Sequence, residues 1–187
     1  MNTLILGMVI FFGAHTVPLA GLNAPLKEKL GANVYKGLFA VIALIGLGLM
    51  IWGFVMARSG PDAARIVFNP PDWGRHATML LVLLAFICLA IYAHKGRLKL
   101  WLRHPMSIGV ALWAAGHLVS NGNLSEVLFF GGFLALALAD IAIGLARGAK
   151  PEIAPKPLHD IIAPLAGVFM YAVFLWLHPM LFGVSVL

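Results

Sequence analysis

Two histidines stand inside long apolar runs of this sequence. His15 follows Phe11-Phe12-Gly13-Ala14, and His117 follows Trp113-Ala114-Ala115-Gly116. An imidazole in hydrocarbon needs a partner, because lipid supplies none. Each of the two lies near a glycine, Gly13 or Gly116, that leaves room for a flat group. With no third His, Cys or carboxylate in a motif beside them, they do not form a zinc site. They suit haem iron, which takes two axial ligands from protein. A neutral imidazole hydrogen-bonded to a neighbouring helix carbonyl is the plainer alternative.

Gly109, Trp113 and His117 recur every four residues and share one helix face, which Ser120 and Asn121 extend. The same stretch opens with Arg103-His104-Pro105, a basic cluster followed by a proline suited to the first turn of a helix. Arg103, His104, Gly109 and Trp113 are therefore candidates to line a cofactor pocket, with Asn121 and His76 behind the ligands. Asp140 is the other costly group within an apolar run. Its candidate partners are Arg147, Arg103, His104 and His15. It either forms an ion pair that fixes the helices or orients an imidazole. His94, His104 and His159 lie at one set of span ends and His76 and His178 nearer the other, where imidazoles cap carbonyls or meet headgroups.

The elements that must position these residues are apolar helices. The chain has 187 residues, of which 61% are hydrophobic and 11% charged, with a mean hydropathy of +0.96. Soluble domains carry about a quarter charged residues, so this is an integral membrane protein. Six apolar segments stand at about 3–20, 36–57, 76–94, 105–121, 124–146 and 160–184. Each approaches the roughly 20 residues that span a bilayer, and an open sheet cannot satisfy its backbone in lipid. The expected fold is all-α, a single-domain bundle of six transmembrane helices over residues 1–187. Gly37, Ala40, Ala43 and Gly46 put small residues on one face of the second segment, a helix-packing signal.

Lys and Arg set the expected orientation. The first, third and fifth connections carry ten of them, from Lys27, Lys29 and Lys36 through Lys95–Arg103 to Arg147, Lys150 and Lys156. The opposite side carries only Arg58, Arg65 and Arg75. The split places the lysine-rich connections in the cytoplasm and both termini in the periplasm. No basic segment precedes the first apolar run, so we expect it to be retained rather than cleaved, despite Pro18-Leu19-Ala20. The formal net charge of +6 is thus a topology signal, and nucleic acid is not an expected partner. Cys88 is the single cysteine, so no intramolecular disulfide forms. In depth, His15 falls in the cytoplasmic half of its span and His117 in the outer half, about 10 Å apart at 1.5 Å per residue. A shared porphyrin would be inclined, or a helix broken, as Pro18 permits.

These residues carry a resemblance. Phe-Phe-Gly-Ala-His at 11–15, Tyr35-Lys36-Gly37-Leu38-Phe39, Pro71-Asp72-Trp73-Gly74-Arg75-His76, Arg103-His104-Pro105 and Leu112-Trp113-Ala114-Ala115-Gly116-His117-Leu118 resemble the NnrU family of bacterial inner-membrane proteins. The resemblance implies an inner-membrane location and an association with nitrite and nitric oxide metabolism. That family is in turn similar to 15-cis-zeta-carotene isomerase, a membrane haem b enzyme whose ligand histidines match His15 and His117. Ala114 stands where that enzyme has a cysteine, so ligand exchange through sulfur is closed here while axial ligation by two histidines is not. Arg103-His104-Pro105, with Gly109 four residues after the proline, is also similar to isoprenylcysteine carboxyl methyltransferases, although their Glu-Glu helix is missing after Gly122.

Three functions follow as expectations. The first is a haem b-binding membrane protein acting on a small redox ligand or an apolar substrate. The second is an S-adenosylmethionine-dependent membrane methyltransferase. The third is a non-enzymatic transport or assembly factor. Oligomeric state is left open.

Overall fold

The computed structural model describes residues 1–186, the side chains of Asp62 and Ala64 excepted. Its helices are α1 Asn2–Leu19, α2 Asn23–Leu30, α3 Ala32–Ser59, α4 Gly74–Ala93, α5 Arg97–Leu102, α6 Pro105–Ser120, α7 Leu124–Ala146 and α8 His159–Phe182, with a 3-10 turn at Pro61–Ala64. No strand occurs among the described residues, apart from an isolated bridge between Ile66 and Asn123. Among the described residues, five helices (α1, α3, α4, α7 and α8) are long and apolar enough to cross a membrane, and α6 is a shorter apolar helix. The chain is therefore an all-α, multi-pass membrane protein with six apolar helices, as its composition requires. Pro18 lies in the last turn of α1 without breaking the span, and α8 accommodates Pro164 and Pro179. The short helices α2 and α5 were not expected. Each is too brief for its periodicity to be read, and Lys27, Lys29, Arg97 and Lys99 make both segments look like connections.

The chain forms two compact units. One comprises Met1–Asn69 with Asn121–Gly132, and the other Pro70–Ser120 with the chain from Phe133 onward. Thus α7 gives its residues up to Gly132 to the first and the remainder to the second.

In the first unit, α1 and α3 meet backbone to backbone across glycines. A Cβ on Gly46 would lie 2.7 Å from the Phe11 nitrogen, while Gly7 abuts the Met50 backbone and Gly53 the Leu4 backbone. Leu4 and Met50 are wholly buried in this seam. The seam thus starts at Gly46, the last residue of the small-residue stripe read from the sequence, and runs on through Met50 and Gly53. Gly37, at the start of that stripe, faces open space. Phe54 of α3 packs on Phe129, with ring centroids 4.8 Å apart. The long connection after α3 is tied to the turn before α7: Leu124 N–H donates to the Arg65 carbonyl at 2.8 Å and Val67 N–H to the Gly122 carbonyl at 2.8 Å. Asn123 N–H donates to Glu126 Oε2 at 3.1 Å, one half of a capping box. Arg58 stands 3.8 Å from the other Glu126 oxygen.

In the second unit, α4 packs on both α6 and α8. Gly109 lets α6 approach the Ala85 carbonyl, and Gly167 lets α8 approach the backbone of Ile87. Thr78 of α4 donates to the Gly116 carbonyl at 2.6 Å, and its Oγ1 lies 2.5 Å from the Ser120 hydroxyl. At the other end, Asp160 accepts from Leu98 N–H at 2.9 Å, and His159 Nδ1 accepts from Lys95 N–H at 3.0 Å.

Candidate functional site

His15 and His117 share one local geometry. His15 Nδ1–H donates to the Phe11 carbonyl at 2.7 Å, and His117 Nδ1–H to the Trp113 carbonyl at 2.8 Å. In each case the bond spans one helical turn. It assigns the proton to Nδ1 and the lone pair to Nε2, the arrangement in which an imidazole ligates a metal while a carbonyl steadies its far side. The His15 ring lies 4.2 Å from Phe11 and meets Phe39 of α3 edge-on at 5.1 Å. The His117 ring lies 5.2 Å from Trp113, which meets Phe133 edge-on at 5.5 Å. His94 makes the same bond to the Ala90 carbonyl at the end of α4. The bond alone is therefore a habit of helical histidine, and placement within an apolar span is what distinguishes His15 and His117. Among the described residues, no three His, Cys, Asp or Glu side chains gather so as to hold a metal ion.

The other residues selected from the sequence are dispersed. Gly109 and Gly116 are buried where α6 crosses α4, and that crossing accounts for both glycines without a cofactor. Gly13 faces open space. His76 is exposed in the first turn of α4, and Asn121 is half-buried just beyond α6.

Arg103, His104 and Asp140 are arranged differently. Arg103 has φ 59° and ψ −51°, and His104 N–H donates across it to the Leu102 carbonyl at 2.6 Å. This is a γ-turn with positive central φ, the rarer and strained form, and Arg103 is the one non-glycine with positive φ among the described residues. The turn presses the His104 ring onto Gly144 of α7. There His104 Nε2 is buried and, among the described residues, has no hydrogen-bond partner. One turn earlier on α7, Asp140 Oδ2 accepts from the Ser107 hydroxyl at 2.5 Å. Among the described residues, Asp140 is thus paired with a neutral donor and not with Arg147, Arg103 or either histidine. Ser107 and Gly144 were missed in the sequence. Their only signal was spacing, three residues past His104 and four past Asp140.

A recess of about 180 Å³ opens beside His15. Ala14 and Val17 of α1, Leu26 and Leu30 of α2, and Tyr35 and Phe39 of α3 form most of its wholly apolar wall. Phe39 is the ring that meets His15. The Lys27 ammonium stands 5.6 Å over the Tyr35 ring.

A family model, described as NnrU protein, matches residues 3–186. The chain belongs to the NnrU family. The match covers all six apolar helices and both α2 and α5, so the short helices are within the family's domain. No curated protein and no solved structure matches this NnrU chain.

Proposed function

We propose that this NnrU-family protein binds haem b, with His15 and His117 as axial ligands. The observation that carries the reading is the placement of these two imidazoles inside apolar helices. Both commit Nδ1–H to the carbonyl one turn back. Each residue taken alone therefore fits a ligand that donates through Nε2. Phe11 and Phe39 hold the His15 ring, and Trp113 holds the His117 ring. Haem, when bound, would supply one-electron chemistry. The substrate under this reading is a small redox ligand such as nitrite or nitric oxide, or an apolar molecule entering from the bilayer.

The same reading places the protein in the bacterial inner membrane, with the lysine-rich connections in the cytoplasm and both termini in the periplasm. Reporter fusions at the C-terminus that are active only in the cytoplasm would reverse that orientation. The purified protein should show a Soret band that responds to dithionite. His15→Ala and His117→Ala should each abolish or shift the low-spin spectrum, while His94→Ala and His159→Ala should leave it intact. A colourless wild-type protein, after expression with ample haem, would sink the assignment.

A second reading rests on the strained Arg103 turn and the buried His104 Nε2. It makes Arg103-His104-Pro105 the edge of an S-adenosylmethionine site, as in the membrane methyltransferases. Saturable binding of S-adenosylmethionine to a protein without visible absorbance would select it.

A further inference from the structure

The recess between α1, α2 and α3 has a wall of carbon and a rim of charge. Its wall comes from three helices, which makes it a half-open slot. Helix α2 supplies both parts. Leu26 and Leu30 belong to the wall, while Lys27 and Lys29 lie on the intervening positions of the same short helix. No residue of α2 is buried, as befits a segment lying in the membrane interface with its apolar side down. Lys27 is placed most tellingly, because its ammonium stands over the ring of a wall residue, Tyr35. Lys36 follows Tyr35 directly in the chain, so the segment that supplies this part of the wall carries three lysines against one carboxylate, Glu28.

We propose that this recess seats one acyl chain of an anionic phospholipid, with Lys27, Lys29 and Lys36 holding the phosphate. Hydrocarbon fills a space in which no polar wall atom would have to be desolvated. A phosphodiester meets point-charge lysines at the level where an interfacial helix ends. Neither part suffices alone. Exposed lysines attract any anion weakly, and an apolar slot accepts any tail, so selectivity comes from the separation between them. A zwitterionic lipid fits the slot but carries a choline that the three lysines repel. The proposal does not depend on the haem assignment.

The test is titration of the purified full-length protein in detergent with dioleoylphosphatidylglycerol or dioleoylphosphatidylcholine, read by native mass spectrometry. One phosphatidylglycerol should be retained in preference to phosphatidylcholine. A basic residue near a membrane surface changes anionic-lipid affinity by about fivefold, so Lys27→Gln with Lys29→Gln should weaken retention about thirtyfold. Ala14→Phe, which fills the slot, should lower retention to the phosphatidylcholine level with all lysines present. Leu38→Trp is a second filling variant, at a wall position that is 50% exposed and outside the helix seam. It decides the matter where Ala14→Phe loses its helicity. Equal retention of the two lipids would overturn the proposal. So would displacement of phosphatidylglycerol by an equal concentration of glycerol 3-phosphate, or undiminished retention in both filling variants.

Discussion

A single methyl group added at Gly46 should loosen α1 from α3. The new Cβ would lie 2.7 Å from the Phe11 nitrogen, 2.9 Å from its Cα and 3.0 Å from its Cβ. Unstrained carbon contacts begin near 3.5 Å, so the helices must part by roughly 0.5–1 Å, and such a gap forfeits a quarter to a half of each dispersion well. The obstacle is helix backbone, which cannot rotate aside. The same displacement opens the contacts of Leu4 and Met50, both wholly buried in the seam. Overpacking of this kind costs about 1–3 kcal/mol, and the helix preference for Ala over Gly returns at most about 1 kcal/mol. Gly48 is the internal control, because nothing lies within 4 Å of a Cβ there. Gly48→Ala should keep the propensity gain without the clash, so the two variants should differ by about 1–3 kcal/mol. Unfolding in mixed micelles by added dodecyl sulfate, followed by circular dichroism, reads that difference. The site should respond as well, since Phe11 is the residue whose carbonyl holds His15. Equal stability of Gly46→Ala and Gly48→Ala would refute the backbone seam.

Three further outcomes follow from the cluster at the start of α6. His104→Leu removes a buried nitrogen that has no partner among the described residues and should raise stability by about 1–3 kcal/mol; a loss of that size in the same unfolding assay would mean that Nε2 is engaged in the native protein. Ser107→Ala strips Asp140 of its donor and should cost about 1.5–3 kcal/mol, as for hydrogen bonds to charged groups. Ser107→Ala made in an Asp140→Leu background should then cost much less, and additive effects would rule out the pair. Arg103→Gly relieves the positive φ of the γ-turn and should stabilise by about 1 kcal/mol, whereas Arg103→Val should destabilise, a β-branched residue being least tolerant of that conformation.

Composition and span length determined the fold class here, because hydrocarbon admits only helices or closed barrels and six apolar runs of helical length leave little choice. The membrane histidines and Asp140 were equally legible, since an ionisable residue among apolar ones stands out by type alone. What those residues touch was not legible. Among the described residues the partner of Asp140 is a serine and not one of the cations the sequence offered, because partnership depends on where α6 and α7 bring short side chains together. The glycine seam begins at Gly46 and runs on through Gly53, while Gly37 faces open space; every small residue on a helix offers a close approach, and only the neighbouring helix decides which offer is taken. Gly109 illustrates the same point. Sequence spacing put it on the face of Trp113 and His117, and the tertiary structure set it against the Ala85 carbonyl. The slot beside His15 lay wholly outside sequence reasoning, because α2 had been read as a connection. Its wall exists only once that short helix folds back beside α1 and α3. Residue type states what a side chain needs, and packing alone determines which neighbour supplies it.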